Sequence, residues 1–234
     1  SSMPGRRSIK NDHQAAWLLR AITCIDLTTL SGDDTERRVQ RICAKARQPV
    51  RADLLKQLNL TGLTTGAVCV YHEMVQTAVA ALKGSGIPVA AVSTGFPAGL
   101  SPLHLRIQEI AESVKAGAKE IDIVISRRHV LEGNWQALYE ETLKMRKACG
   151  DAHIKAILAA GELGSLRNVA RASLVCMMAG ADFIVNVAMD EERRVTGVFA
   201  GELEAAHLAG VAAVEQMVQV FLEEPVDIVI TSSA

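Results

Sequence analysis

The chain has 234 residues, of which 49% are hydrophobic, 22% charged and only 3% aromatic, with a net charge of -1 and a pI near 6.6. That is enough chain to bury a substantial core, read as a single domain over 1–234 with a frayed polar stretch at 1–10. The balanced charge and scarce aromatics argue against a polybasic or base-stacking surface, so neither nucleic acid nor a membrane is an expected partner.

Five cysteines (Cys24, Cys43, Cys69, Cys149, Cys176) lie far apart with no CxxC pair. Their odd number and spacing argue against a disulfide framework or a zinc site, and for reduced thiols that fill the core. No apolar run approaches the roughly 18 residues of a membrane span. Nothing at the N-terminus resembles a signal peptide. The expected location is cytoplasmic.

From Asp12, the residues Ala16, Trp17, Leu19 and Ala21 predict a short leading helix, and Ile22-Thr-Cys-Ile-Asp-Leu27 a buried strand ending in Thr28-Thr29. Ser31-Gly-Asp-Asp-Thr35 supplies capping oxygens to a helix with Val39, Ile42, Cys43 and Ala46 at i, i+3, i+4, i+7, ended by Pro49. The unit then recurs. Strand Thr65–Tyr71 leads to a helix over 73–83, and strand Val89–Ser93 to Gly95-Phe-Pro-Ala-Gly99 and a helix faced by Leu103, Ile107, Ile110 and Val114. Glu120-Ile-Asp-Ile-Val-Ile125 is the next strand, followed by a helix with Trp135, Leu138, Met145 and Cys149 that ends at Gly150. His153–Ala159, a helix ending at Gly180, and Asp182–Val187 continue the series.

Helix, glycine stop and continuous apolar strand alternate along the chain, which predicts a parallel sheet buried on both faces. Such a sheet is either doubly wound or closed as a barrel, and no GxGxxG follows the first strand to favour a dinucleotide-binding doubly wound sheet. Polar residues instead recur at strand C-terminal ends (Asp26, Thr28, Asp122, Lys155), where barrel active sites are built. The expected fold is therefore α/β, a TIM (β/α)8-type barrel with a leading N-terminal helix. In the tail, Glu191–Arg194 reads as a charged loop. Glu202–Glu223 reads as a helix with Leu203, Gly210, Val214, Met217 and Phe221 on one side, and Val226–Ile230 as a seventh strand. The count stops one strand short of eight.

These residues resemble the deoxyribose-phosphate aldolase family over about Gln14 to Ile184. The marks are Ile25-Asp-Leu-Thr-Thr-Leu30 with Asp33-Asp34-Thr35, Ala67-Val-Cys-Val-Tyr71, Thr94-Gly-Phe-Pro-Ala-Gly99, Glu120-Ile-Asp-Ile-Val-Ile125, Gly161-Glu-Leu163 and Ala181-Asp-Phe-Ile184. The resemblance implies a TIM barrel and a class I aldolase that splits 2-deoxyribose 5-phosphate into glyceraldehyde 3-phosphate and acetaldehyde, without metal or organic cofactor. That mechanism needs an amine to form a Schiff base, whose protonated nitrogen is the electron sink for C–C cleavage.

In the family this lysine directly follows Asp-Phe-Ile on strand six and precedes a Thr-Ser-Thr-Gly run that holds phosphate. Here the positions read Val185-Asn-Val-Ala-Met189. The family's second lysine, on strand seven, which lowers the first one's pKa by like charge, has no counterpart; Val226–Ile230 offers Asp227 instead. Ser232-Ser233 is a weak match to the final phosphate-binding strand. Asp122 matches the family's proton-relaying aspartate, while Asp26 and Lys155 match supporting positions on strands one and five. Cys69 lies in the Cys-Val-Tyr strand, followed by His72 where the family has proline.

Each signal also has an ordinary reading. Asp122 would pair with Arg127 or Arg128, Lys155 with Asp122 or Asp26 inside the barrel mouth, and Cys69 would simply pack. Losing the nucleophile removes the covalent route that underlies accelerations of ~10⁶ or more. The first expectation is thus a pseudoenzyme that binds a protein partner or a sugar phosphate. The second is a re-specified class I aldolase using Lys155. A third is another phosphate-sugar barrel enzyme without an imine step. The sequence leaves the oligomeric state open.

Overall fold

The computed structural model describes residues 12–185 and, as strand backbone, residues 188–189, 195–197 and 227–230. The expectations for 1–10, 191–194, 202–223 and 232–233 lie outside the described residues.

Helix α1 (Asp12–Ile22) opens the described chain. The apolar pattern assigns Ile22 to the first strand, but α1 keeps it because Thr23 and Cys24 close the last turn. Thr23 Oγ1 donates to the Arg20 carbonyl at 2.7 Å, and the Cys24 N–H to that of Ala21 at 2.9 Å. Strand β1 is therefore Ile25–Thr28. Thr35 caps α2 (Glu36–Arg47), accepting from the Arg38 N–H at 3.3 Å, and Val39, Ile42, Cys43 and Ala46 are its buried face as the spacing predicts. A short α3 (Ala52–Gln57), which the sequence pattern does not reveal, buries no residue fully.

The remaining units are β2 (Ala67–Tyr71) with α4 (Val75–Ala81), β3 (Val89–Val92) with α5 (Leu103–Lys115), and β4 (Glu120–Val124) with α6 (Arg127–Leu131) and α7 (Trp135–Cys149). Then come β5 (His153–Ile157), α8 (Leu166–Met178) and β6 (Phe183–Val185). Gly117 shows why glycine ends these helices. Its φ of +108° is left-handed, and a Cβ there would stand 3.2 Å from Val79.

Strands β1 to β6 are parallel and neighbour one another in chain order, as the βα repetition predicts. The tail departs from the expected pattern. β7 (Ala188–Met189) and β8 (Val195–Gly197) form a separate antiparallel pair. β9 (Asp227–Ile230) joins the outer edge of β1 antiparallel, with Ile25 opposite Ile230 and Thr28 opposite Asp227. The expected seventh strand at 226–230 is thus present, but it runs antiparallel on β1 and does not continue the parallel βα series. An open edge exposes N–H and C=O groups that a strand of either direction can satisfy.

The register separates two faces. Ile25, Leu27, Val68, Val70, Ile121, Ile123 and Ile154 point outward and form one core with the helices. Each fully buried isoleucine or leucine there contributes about 1.5–3 kcal/mol. The alternate residues, Asp26, Cys69, Ala90, Asp122, Lys155 and Val185, point to the inner face. In a flat sheet β1 and β5 would lie about 19 Å apart, at about 4.8 Å per strand. Yet Lys155 on β5 touches Asp26 on β1. The sheet is curled into a TIM-type half-barrel with its polar inner residues converging.

Candidate active site

The inner face carries its chemistry in two layers. The lower layer is a buried charge cluster. Lys155, at 1% exposure, places its Nζ against Asp26 Oδ2, 2.8 Å from Glu120 Oε2 and 3.4 Å from Asp122 Oδ1. Cys69 Sγ donates to Asp122 Oδ2 at 3.8 Å. Four strands thus supply one group of facing side chains. The ion pairs of Lys155 with Asp26 and Asp122 match the sequence expectation, and Glu120 completes them. Glu120 was legible in principle, because it stands two residues before Asp122 on one strand, and period two puts both on one face.

Two expected contacts are corrected. Asp122 does not pair with Arg127 or Arg128, because both arginines follow the C-terminal end of β4 while Asp122 faces Lys155 inside. Arg127 instead meets Glu162 Oε2 at 2.9 Å and donates to the Ala98 carbonyl at 3.0 Å. Thr28 is buried, but its hydroxyl donates to the Asp26 carbonyl of its own strand at 2.9 Å, which supports the strand end.

Burial pushes the Asp122 carboxyl up to about 7; Asp26 and Glu120 add to this, and Lys155 opposes it. For Lys155, burial disfavours the charge, but Asp122, Asp26 and Glu120 outweigh it and hold the ammonium well above its ordinary value. Burial, then the charge of Asp122, raises the Cys69 thiol well above its ordinary value. At neutral pH the layer therefore offers an ammonium and a thiol, neither of them a nucleophile. Asp122 titrates in the range useful to a general acid or base.

The upper layer is apolar. Val124, Ile157 and Val185, the last residues of β4, β5 and β6, pack together with Phe96 and Phe183. Val185 is 1% exposed and opposite Ile157, so its side chain belongs to this layer and not to the outer core.

The loop after β3 is fixed over that layer. Thr94 has a left-handed φ of +65°, which a β-branched residue rarely adopts. Its Oγ1 accepts from the Val124 N–H at 2.6 Å, a bond that draws the loop onto the end of β4. Gly99 comes so close that a Cβ would stand 2.8 Å from Val124 Cγ1. The Gly95 N–H donates to Glu109 Oε2 at 2.9 Å, and Glu109 Oε1 lies 3.2 Å from His72 Nδ1.

The loop after β4 rests on a second buried ion pair. Arg106 of α5 meets Glu141 of α7, and Glu141 accepts from the Ser126 N–H at 3.0 Å and hydroxyl at 2.7 Å. The helical pattern could have revealed Arg106, which lies three residues after Leu103 and four before Ile110 on the buried face. Among the described residues, no group of three His, Cys, Asp or Glu is arranged to hold a metal ion. Among the same residues, no helix is long and apolar enough to cross a membrane.

The family description "DeoC/LacD family aldolase" matches residues 20–232. The chain is 63% identical over 183 residues to deoxyribose-phosphate aldolase of Mus musculus, covering 76% of this chain and 58% of that protein. It is 59% identical to the Homo sapiens protein over the same coverage. The chain thus spans a little over half the length of these curated relatives. The solved structure of QR15, an aldolase, superposes with a TM-score of 0.64 at 23% identity, covering 91% of each chain, which supports the fold. The match over most of the length, and the identity to both mammalian proteins, place the chain in the DeoC/LacD aldolase family.

Proposed function

We propose that this chain is an aldolase-type half-barrel that does not cleave 2-deoxyribose 5-phosphate and acts by binding, with a protein or a sugar phosphate as its ligand. The observation that carries this reading is Val185. The family resemblance implies a Schiff-base lysine there, and the position is held by a buried aliphatic side chain. Valine has no lone pair to attack a carbonyl. The relatives bear the name deoxyribose-phosphate aldolase, and the half-barrel retains the aspartate that would relay protons, Asp122, without the nucleophile it would serve.

The alternative, an aldolase re-sited on Lys155, meets an electrostatic objection. A Schiff base requires a neutral amine, and three carboxylates keep Lys155 protonated.

The test is incubation of the purified chain with 2-deoxyribose 5-phosphate, reading acetaldehyde release and borohydride-trapped adducts by intact mass and peptide mapping. The expected result is neither turnover nor adduct. Turnover above the uncatalysed rate overturns the reading. If that turnover vanishes in Lys155→Ala and the adduct maps to Lys155, the re-sited aldolase replaces it.

A further inference from the structure

Strand β2 ends at Tyr71, and the single turn His72–Met74 follows it. The His72 side chain is 47% exposed, and its Nδ1 lies 3.2 Å from Glu109 Oε1. Glu109 belongs to α5, is only 20% exposed, and accepts from the Gly95 N–H with its other oxygen at 2.9 Å. One carboxylate therefore joins a titratable imidazole to the loop after β3.

The near end of that loop is strained. Thr94 and Gly95 both have left-handed φ, +65° and +71°, and for a β-branched residue such a conformation persists only where its neighbours hold it. Thr94 is held by the Val124 N–H and Gly95 by Glu109. Phe96 comes next and packs against both apolar groups of the inner face, Val124, Ile157 and Val185 on one side and Cys69, Ala90 and Val92 on the other. Its ring also meets Tyr71 edge-on at 6.1 Å. The seat of Phe96 on the inner face thus follows from that of Gly95.

The free charges around His72 are acidic. Glu109 faces it from α5, and Glu73 follows it in the same turn. Asp34, after β1, joins Glu109 in acting on the Tyr71 phenol, which burial raises most. The cations of these elements are engaged: Arg106 and Lys115 of α5 pair with Glu141 and Glu112, and Arg38 pairs with Asp33 and Asp34. His104 of α5 lies about 140° round the helix from Glu109, and α4 carries no charge.

We propose that His72 and Glu109 form a pH-sensitive latch on the loop that covers the inner face. Histidine changes charge between about pH 5 and pH 8. As an imidazolium, His72 holds the Glu109 carboxylate by charge in the place where it accepts from Gly95. As a neutral ring it offers only an uncharged hydrogen bond, the carboxylate turns to water more readily, and the strained end of the loop releases more often. Rising pH therefore loosens Thr94–Phe96 over Val124, Ile157 and Val185, while Arg127 keeps the far end tied at the Ala98 carbonyl. The latch does not depend on whether the inner face turns over a substrate.

The test is amide hydrogen exchange of the full chain, read at Gly95 by NMR as a protection factor, which removes the intrinsic pH dependence of exchange. Between pH 5.5 and pH 7.5 the protection of Gly95 should fall about two- to fivefold, the range of a half-exposed ion pair. His72→Asn keeps an uncharged donor beside Glu109 and should abolish the fall. Glu109→Gln should abolish it too, because an amide does not attract the imidazolium charge. Asp122 titrates in the same window in all three proteins, so a fall that it caused would survive both substitutions. Wild-type protection that stays constant with pH overturns the proposal, and so does a fall that persists in either variant.

Discussion

Lys155 and Val185 share the inner face on neighbouring strands, Lys155 opposite Phe183 and Val185 opposite Ile157, one interior step further toward the strand ends. The amine lies in the charged layer and the aliphatic side chain in the apolar one. An electrophile entering from the strand ends meets Val124, Ile157 and Val185 before it reaches the Lys155 amine.

If the proposed function is right, placing an amine at that step should permit the first chemical step. Val185→Lys places nitrogen among Val124, Ile157 and Phe96, where burial lowers an amine's pKa and frees its lone pair. The expected outcome is a borohydride-trapped acetaldehyde adduct at position 185, absent from wild type. The substitution should cost on the order of 3 kcal/mol, read by urea unfolding.

Lys155 is expected to be structural. Lys155→Met leaves Asp26, Glu120 and Asp122 facing one another without a cation, and should destabilise the fold by about 3–5 kcal/mol at pH 7. Because protonation relieves that repulsion, the loss should shrink at pH 4.5. Urea titrations at both pH values check this, and an equal loss at both would assign it to packing alone.

Asp122 gives stability a pH dependence of definite sign. Between the ordinary carboxylate value of 3.8 and about 7, the folded chain holds a proton that the unfolded chain has released. Stability from this group therefore falls as pH rises through that window, by up to about 4 kcal/mol. Asp122→Asn should flatten this part of the profile, measured as unfolding free energy in steps from pH 4 to pH 8.

Arg106 and Glu141 should behave as a coupled unit. Arg106→Met leaves a buried carboxylate and should cost about 3–5 kcal/mol. Glu141→Gln should cost less, since the amide oxygen can still accept from Ser126. The double variant should cost less than the two singles added, and a double-mutant cycle in urea measures the coupling.

The local pattern was enough to place most of the fold. The helical spacing of Val39, Ile42, Cys43 and Ala46, the caps at Thr35 and Gly117, and the continuous apolar strands are near-neighbour features, so the order of the six βα strands follows from them. The motifs around Asp26, Cys69 and Asp122 likewise carried the family likeness, and Val185 the departure from it. Short helices such as α3 were not legible, because they bury little and leave no periodic trace. The sequence marked 226–230 as a strand but could not give its neighbour or direction, because pairing at a sheet edge depends on which edge is open in space.

What only the tertiary structure decided is how the groups meet. Curling of the sheet brings Asp26 across four strand spacings to Lys155, an encounter between residues 129 positions apart that no local pattern encodes. The same curling fixes protonation: a lysine among three buried carboxylates stays an ammonium, and one of those carboxylates keeps its proton to about pH 7. The sequence by itself determined which functional groups are present and that residue 185 is a valine. Their charge states came from burial and from distances across the half-barrel, which exist only once the chain has folded.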